Sequence, residues 1–391
     1  MTAQFRRTIR EWCQEYIPRH WQEDLLNAPR TDYVDFQRKW LATLREARLA
    51  VPHWPAEWGG GYSAEEQIII FQELARARAP RLSLFVIGLH HAAATLRSAG
   101  TQQQIDRHIG AILDGEVWCQ AFSEPSAGSD LASLRTRAVR DGSDYVVTGQ
   151  KIWSSMADFA DYALLLARTG AGDEKHRGIS YFILDMHSPG VEVRTTRQST
   201  GESEFCEIFL SDVRVPAENL IGAEGQGWSI AQVTLGEERG VTVVELAERL
   251  YFRILDLARE LGNPPSETAG WGSSRSELAQ AEVAPLLERV SVVRAMSRSL
   301  ALQPDRGGQD VDISVLKIMY SELLQDVARV GSRLLVPESI YDRGYVTGGG
   351  WETGSWFGDF VGSWTWTISG GTNQIHRNIL ARRGLGLRKA S

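Results

Sequence analysis

Two short stretches of the chain combine residue types that could bind a small molecule. The first, FSEPSAGSD at 122–130, supplies the hydroxyl groups of Ser123, Ser126 and Ser129. Gly128 lets backbone N–H groups face a ligand, because no Cβ blocks their approach. On this stretch alone, an ordinary surface turn is the more natural interpretation.

The second stretch, GQKIWSS at 149–155, has the composition of a strand. Alternation along a strand places Trp153 and Ser155 on one face. An indole beside a hydroxyl suits a planar heteroaromatic ring, since the indole can stack and the hydroxyl can bond an edge nitrogen. The competing interpretation is a tryptophan packed in an inter-domain core.

A glycine turn closes the chain, in GGTNQ at 370–374. Thr372 is a predicted helix cap, and the helix start could receive an anion or a polar ligand edge. The pattern is a weak signal and lacks the strand–turn–helix context of a dinucleotide fingerprint.

Two adjacent carboxylates, Glu237 and Glu238, stand in LGEERG at 235–240. Adjacent helical residues point about 100° apart, so at most one can face a given cavity. Either both are solvated first-turn carboxylates or one is a buried base, and periodicity does not decide. Glu237 shares a stripe with Ile230, Val233, Val241 and Val244, whereas Glu238 shares one with Ala231, Thr234, Thr242 and Glu245.

Composition narrows the function class. The 391 residues carry 42 Lys plus Arg against 49 Asp plus Glu, a net charge of −7, which argues against a general nucleic-acid binder. Three scattered cysteines indicate no disulfide framework, and His90 and His91 lack metal partners at ligand spacing. The N-terminus has no signal-peptide core and no apolar run reaches the ~18 residues of a membrane span, so a cytoplasmic protein is expected.

The order of predicted elements is helices, strands, helices. Helical spacing dominates residues 4–115, short β-rich runs with an Asp-Gly turn begin near 117, and the helical period returns from Trp228. We therefore predict an α+β fold with an N-terminal helical domain (1–116), a small antiparallel β-barrel or sandwich (117–223) and a C-terminal helical domain (224–391). Ser63, with Glu66 three residues further on, is a predicted helix cap. A Pro/Gly/Ser loop is predicted at 262–274.

These stretches, taken in order, resemble the acyl-CoA dehydrogenase family over essentially the whole chain. Any one motif is weak, but six in sequence make coincidence implausible. They are WPAEWGG (54–60), FSEPSAGSD (122–130), GQKIWSS (149–155), LSDVRVPAENLIGAEGQGW (210–228), ER (238–239) and GGTNQIHRNILARRGLGL (370–387).

The resemblance implies FAD bound between the β domain and the C-terminal helices, and a set of contact residues. Trp153 would pack on the isoalloxazine, with Ser155 near flavin N5. Other implied flavin contacts are Phe122, Ser123 and Ser154, together with Thr372, Asn373 and Gln374, which often touch a neighbouring subunit's FAD. Implied substrate contacts are Ser129, Arg239 and Gly371, and no metal ligand is implied.

The implied reaction is formation of a trans-2-enoyl-CoA from an acyl-CoA thioester. A carboxylate removes the α-proton, hydride passes to flavin N5, and electrons continue to an electron-transfer flavoprotein. Many members carry this base just before the Gly-Thr of the terminal motif, where this chain has Gly370. A minority carry it as the Glu of a Glu-Arg pair, which here is Glu238 followed by Arg239.

Two further expectations follow from the resemblance. The sequences of these motifs are similar to those of bacterial members that act on bulky acyl-CoAs, including those with sterol side chains. Residues 261–280 lack the Arg-x-x-Phe-Gly segment with which homotetrameric relatives grip a partner's FAD. The chain is therefore expected to form either a homo-oligomer or an α₂β₂ hetero-oligomer, as an active dehydrogenase or a partner subunit. A flavin oxidase or monooxygenase on the same fold is the remaining alternative.

Overall fold

A computed structural model defines most of the chain, in two units assembled from separate segments. The helical unit comprises Met1–Phe36, Thr43–Arg81 and Arg239–Ser391, and the sheet unit comprises Gln37–Ala42 and Leu82–Glu238. The structure describes residues 2–26, 28–170, 175–237, 241–262, 272–303, 309–335 and 352–387.

Helices precede and follow the strands, as the α+β prediction requires. The first group is α1 (Thr2–Tyr16), α2 (Trp21–Asp24), α3 (Arg30–Glu46), α4 (Ala64–Arg76), α5 (Ala93–Ala99) and α6 (Gln102–Leu113). The second group is α7 (Gly227–Glu237), α8 (Val241–Gly262), α9 (Gly272–Ala301), α10 (Gln309–Leu334), α11 (Trp356–Gly362) and α12 (Asn373–Ile379).

Helix α9 begins inside the predicted loop at 262–274. Residues 272–274 are already helical, so the loop prediction is wrong at that end, while 263–271 lie outside the described residues. Ser and Gly have modest helix propensity, and the long apolar face that follows in α9 outweighs it.

The core of the helical unit lies among α8, α9 and α10. Leu250, Ile254 and Leu257 recur along one face of α8 and are fully buried, with Val290 and Leu323 from the neighbouring helices in the same cluster. This spacing follows the helical period. Burial of this apolar face, rather than helix propensity, holds the three helices together.

Helix α4 starts at the predicted cap. The Ser63 hydroxyl accepts a hydrogen bond from the Glu66 N–H at 3.3 Å, and Glu66 accepts one from the Ser63 N–H at 2.9 Å. Two otherwise unpaired N–H groups at the helix start are thereby satisfied.

A buried carboxylate joins α1 to α4. Glu73 accepts hydrogen bonds from Arg6, Arg10 and Arg76, at 2.7–3.0 Å. Its side chain is 1% exposed, whereas the three arginines remain one-third to nearly one-half exposed. Burial alone would raise the pKa of Glu73, but the three guanidinium groups hold that pKa at about 2.

Eight strands form one sheet. They are β1 (Trp118–Ala121), β2 (Arg137–Asp141), β3 (Asp144–Ser155), β4 (Tyr162–Arg168), β5 (Ile179–Asp185), β6 (Val191–Thr196), β7 (Phe205–Pro216) and β8 (Leu220–Ile221). The order is β6-β7-β3-β2-β4-β5-β8, with β1 beside β4.

The sheet is mixed rather than purely antiparallel. The predicted hairpin is present, since Asp141 pairs with Asp144 around a turn in which Gly142 has φ +61°. Strand β1, however, runs parallel to β4 over four residues, and β2 meets β4 in parallel only at Arg137 and Arg168. The long connection between β1 and β4 permits the parallel pairing that short hairpins forbid.

Candidate active site

The serine-rich loop predicted to bind a ligand leaves β1 and folds back tightly. Glu124 and Ala127 exchange two backbone hydrogen bonds of 3.1 and 3.0 Å, with Pro125 inside the turn. Phe122 is buried against Tyr181, with ring centroids 5.6 Å apart. Ser123 is half-buried, and the loop reaches the surface before Ser129, which is exposed.

The structure brings this loop against the strand that carries Trp153. The Ile152 N–H donates to the Ser123 carbonyl at 2.9 Å. The Lys151 ammonium, which is fully buried, donates to the Phe122 carbonyl at 3.0 Å and to the Glu124 carboxylate at 2.9 Å. The two motifs predicted from separate stretches therefore form one local structure.

Glu124 also holds the chain that follows the loop. Its two carboxylate oxygens accept from the backbone N–H groups of Arg135 and Thr136, at 2.6 and 2.8 Å. Burial would raise the pKa of Glu124, but the Lys151 ammonium and these hydrogen bonds hold it below its ordinary value. Burial lowers the pKa of Lys151, and Glu124 opposes that change.

Sequence reasoning missed this ion pair. Lys151 stands two residues before Trp153, so alternation along the predicted strand places the two side chains on the same face. Nothing in the sequence identified that face as the buried one or named Glu124 as its partner.

A β-bulge lies at Trp153. Lys151 pairs with Ile208 and Ser154 pairs with Cys206, so β3 advances three residues while β7 advances two. The extra residue in β3 is the bulge. Trp153 adopts φ +63°, the left-handed region that a bulky residue seldom occupies. The bulge therefore breaks the simple alternation assumed for this strand.

The bulge leaves the indole largely open. Trp153 is 56% exposed, with its ring edge-on to Phe205 at a centroid distance of 5.8 Å. Ser155 is half-buried, whereas Ser154 is fully buried and its hydroxyl has no hydrogen-bond partner among the described residues. Trp153 and Ser155 thus keep open surface on either side of an inward-facing Ser154.

Helix α7, which precedes the Glu-Arg pair, is fastened by buried hydroxyl groups. Thr234 bonds Thr95 at 2.6 Å and the Tyr181 hydroxyl at 3.3 Å, and both threonines are fully buried. Glu238 and Arg239, the predicted base and substrate contact, lie outside the described residues. Glu237 is the last residue of α7, and its side chain is likewise outside the description.

The terminal turn belongs to the helical unit, and its predicted cap is confirmed. The Thr372 hydroxyl accepts from the Ile375 N–H at 3.2 Å, which starts α12. Gly370 and Gly371 both have positive φ, +63° and +91°. The turn needs glycine there because a Cβ is strained in this region.

Most polar groups of the turn are satisfied within the helical unit. Lys317 donates to the Gly371 carbonyl at 2.7 Å and to the Asn373 side chain at 2.8 Å. His376 Nε2 donates to the Gly370 carbonyl at 3.1 Å. Asn373 is buried, whereas Gln374 is exposed, so Gln374 is the side chain of this turn left open for an outside contact.

Family models match the chain along nearly its whole length. The N-terminal domain of acyl-CoA dehydrogenase matches residues 2–116, the middle domain 119–213 and the C-terminal domain 225–385. The protein belongs to the acyl-CoA dehydrogenase family.

Two curated relatives come from Mycobacterium tuberculosis. Acyl-CoA dehydrogenase IpdE1 is 34% identical over 98% of this chain and 97% of its own length. Acyl-CoA dehydrogenase FadE34 is 39% identical over 90% of this chain. The match covers 46% of FadE34, so the chain spans about half the length of that relative.

Two solved structures share the fold over the whole chain. The ChsE4-ChsE5 complex from M. tuberculosis aligns with a TM-score of 0.82 and 30% identity, over 100% of this chain and 98% of that chain. The Tcur3481-Tcur3483 steroid ACAD aligns with a TM-score of 0.82 and 26% identity, over the same shares.

The described part of the chain contains no helix that is long and apolar enough to cross a membrane. Within those same residues, no group of three His, Cys, Asp or Glu side chains could hold a metal ion. Cys13, Cys119 and Cys206 are all free and buried.

Proposed function

We propose that the protein is an FAD-dependent dehydrogenase that converts an acyl-CoA thioester into the trans-2-enoyl-CoA. Membership of the acyl-CoA dehydrogenase family supports the reaction class. The observation that carries the cofactor assignment is Trp153, an exposed indole held in a strained backbone conformation. Such strain costs on the order of 1–3 kcal/mol and is concentrated at functional sites.

The residues of the sheet unit fit a flavin. Trp153 offers an open ring face and Ser155 a partly open hydroxyl, both on a strand that Lys151 ties to the Phe122–Glu124 loop. FAD, when bound, supplies the hydride acceptor. Phe122, Ser123 and Ser154 are proposed to contact it mainly through the backbone, because Phe122 and Ser154 are buried.

In the helical unit, Thr372, Asn373 and Gln374 are the proposed FAD contacts. The Thr372 and Asn373 side chains are already hydrogen-bonded within that unit, so Gln374 is the one proposed to bond the cofactor by its side chain. Ser129, Arg239 and Gly371 are proposed to contact the substrate.

Glu238 is the proposed base. The position used by many members is Gly370 here, which leaves Glu238 of the Glu-Arg pair as the candidate. Its task is to take the α-proton, for which a carboxylate needs a pKa raised by desolvation.

Glu238→Gln tests this assignment, with Glu237→Gln as the matched control. We expect the Glu238 variant to lose flavin reduction by substrate at least ~10³-fold, because its amide cannot accept the proton. The Glu237 variant should reduce flavin at close to the wild-type rate. Near wild-type reduction by Glu238→Gln, or an equal loss in both variants, refutes the assignment.

The proposed substrates are bulky acyl-CoAs, including steroid side-chain thioesters. The likeness to the Tcur3481-Tcur3483 steroid ACAD supports this class. Flavin bleaching should be compared across linear, branched and steroid acyl-CoAs. Preference for linear chains would contradict the proposal.

Electron-transfer flavoprotein is the proposed electron acceptor, and rapid oxygen consumption with an oxygenated product would instead indicate an oxidase or monooxygenase.

A second candidate function is that of a partner subunit in a hetero-oligomer. The likeness to the ChsE4-ChsE5 complex favours it, as does the absence of an Arg-x-x-Phe-Gly segment from residues 261–280 of the sequence. The chain should be purified alone and with a related subunit, and flavin content and activity measured for each. A fully flavin-loaded, active homo-oligomer would eliminate this candidate.

A further inference from the structure

Helix α10 presents three polar side chains to the terminal turn and to the helix that the turn starts. They are Ser314, Lys317 and Ser321, whose spacing of three and four residues puts them on one face of a helix. The two serines are buried, at 0% and 1% exposure. Buried hydroxyl groups require hydrogen-bond partners, and both of these reach the terminal segment.

Lys317 holds the terminal turn at two points. Its ammonium group donates to the Gly371 carbonyl at 2.7 Å and to Asn373 Oδ1 at 2.8 Å. Hydrogen bonds from a charged donor are shorter and stronger than those between neutral groups. Thr372, the cap of α12, lies between the two contacts, so one side chain fixes the chain on both sides of the cap.

The Asn373 side chain is held in a single orientation. Its Oδ1 also accepts from the Ser321 hydroxyl at 3.1 Å, and its Nδ2 donates to Glu322 Oε1 at 3.3 Å. An ammonium group can only donate and a carboxylate can only accept, so a reversed amide would place donor against donor and acceptor against acceptor. The first residue of α12 is therefore fixed in position and orientation.

His376 holds the other glycine of the turn. Its Nε2 donates to the Gly370 carbonyl at 3.1 Å, and its Nδ1 lies 3.1 Å from the Ser314 hydroxyl. A carbonyl oxygen can only accept, so Nε2 carries the hydrogen, and in the neutral ring Nδ1 accepts from Ser314. The carbonyl groups of Gly370 and Gly371, the two residues of positive φ, are thus both bound within the helical unit.

We propose that Lys317 is a positioning residue for the flavin cofactor, and that it acts by fixing the terminal turn so that Gln374 meets the cofactor. The inference rests on the proposed function, in which Gln374 bonds FAD by its side chain. Gln374 is exposed and directly follows Asn373, which Lys317 holds. All these bonds lie within the chain itself, so the turn is formed before a cofactor binds, and binding does not bear the cost of ordering it.

The first test asks whether Lys317 holds the turn. Lys317→Met removes the ammonium group and keeps an unbranched side chain. Hydrogen exchange of the flavin-free protein is followed by mass spectrometry over residues 370–379, where the N–H groups of Ile375 and His376 both donate to Thr372. We expect exchange there to be at least ~10-fold faster in the variant. Exchange equal to that of the wild type overturns the proposal.

The second test asks whether the held turn serves the cofactor. FAD affinity, measured by fluorescence quenching, should fall at least ~10-fold in Lys317→Met. Arg329→Gln is the matched control, because this arginine of the same helix is 61% exposed and paired with Asp326. It should change neither exchange nor affinity. Faster exchange with unchanged FAD affinity in Lys317→Met would make Lys317 a structural residue only and overturn the proposal.

A double-mutant cycle shows whether Lys317 acts through Gln374. Gln374→Ala should also weaken FAD binding. If the two residues act together, Lys317→Met/Gln374→Ala should bind FAD at least ~3-fold more tightly than the product of the two single losses predicts. Losses that simply multiply would show that Lys317 acts independently of Gln374, which overturns the proposal.

Thermal unfolding of each variant separates a loosened turn from a lost fold. If Lys317→Met does not fold, Ser314→Ala/Ser321→Ala replaces it, because these substitutions remove only two hydroxyl groups from the same face of α10. We expect exchange over 370–379 to be about threefold faster and FAD affinity about threefold lower in that variant. If neither changes, the proposal is wrong.

Failure of the proposed function gives a different result. If the chain alone binds no FAD, the affinities are measured with the related subunit present, since the turn would then serve that subunit's cofactor. If FAD binds in neither case, the cofactor assignment fails, and the role of Lys317 toward the cofactor fails with it. Tight FAD binding that is equal in the wild type and Lys317→Met leaves the cofactor assignment intact and overturns only the role of Lys317.

Discussion

Two buried carboxylates, one in each unit, have their negative charge compensated by different sets of cations. Glu124 in the sheet unit faces one cation, the fully buried Lys151, and two backbone N–H groups. Glu73 in the helical unit faces three arginines, each partly open to solvent. Both carboxyl groups have their pKa held below the ordinary value.

The difference shows what each cluster is built to do. Three solvated arginines give Glu73 redundancy, which suits a fastening between α1 and α4. Lys151 and Glu124 have no comparable substitute, and besides bonding each other they hold the backbone of Phe122, Arg135 and Thr136. A dry, singly partnered pair is costly to break but geometrically strict, which suits the positioning of a cofactor site.

The largest effect should follow Lys151→Met, which removes the single cation beside Glu124. The buried carboxylate is then unpaired, a loss of about 3–5 kcal/mol. Urea unfolding monitored by circular dichroism measures it. The control is Lys151→Met/Glu124→Gln, which removes both charges and should recover part of the loss. If Lys151→Met alone is as stable as the wild type, the proposed difference between the Glu124 and Glu73 clusters is wrong.

A smaller, pH-dependent effect is expected for Glu73→Gln. The folded-state pKa of about 2 lies below the unfolded value of 4.5, so the stabilisation is present above 4.5 and is lost as pH falls toward 2. At pH 7 it amounts to about 3 kcal/mol. The difference in unfolding free energy between wild type and variant should therefore shrink from pH 7 to pH 3. A constant difference would show that Glu73 does not titrate as proposed.

Removal of one arginine should have a modest effect. Arg10→Ala leaves Arg6 and Arg76 on Glu73, and the Arg10 side chain is 44% exposed. We expect a loss below about 1 kcal/mol in the free energy of unfolding. A loss as large as that of Lys151→Met would show that the three arginines act as one unit and remove the contrast between the clusters.

Trp153→Asn should change the stability of the flavin-free protein least. Asparagine tolerates a left-handed backbone, so relief of strain should offset the lost ring contact with Phe205. The indole is more than half exposed, and the net change should stay within about 0.5 kcal/mol. FAD affinity, measured by fluorescence quenching, should fall at least ~10-fold because the stacking surface is lost. A large loss of stability with unchanged affinity would make Trp153 a structural residue.

Local chemistry made several features predictable. Ser63 with Glu66, Thr372, and the Asp-Gly turn before Asp144 each act through bonds to near neighbours, and the structure confirms all three. The α+β fold is confirmed as well, because helical and strand periods fill separate stretches.

Other features depend on residues far apart in the sequence. The bulge at Trp153 arises from the pairing of β3 with β7, which the β3 sequence does not contain. Lys151 meets Glu124 only after β1 and β3 are brought together, and β1 lies parallel to β4 across a long connection. The assignment of Glu238 as the base came from the family resemblance, since periodicity did not distinguish Glu238 from Glu237. This assignment remains a prediction.

Gly370 also bears on what a single substitution could restore at the terminal turn. Its left-handed φ and the hydrogen bond from His376 to its carbonyl fix a backbone shape that, in this chain, penalises a side chain by about 1–2 kcal/mol. A glutamate introduced at position 370 alone must therefore overcome this strain or rebuild the turn. If Glu238 is the base, as proposed, the turn acts as a ratchet that hinders its return to position 370.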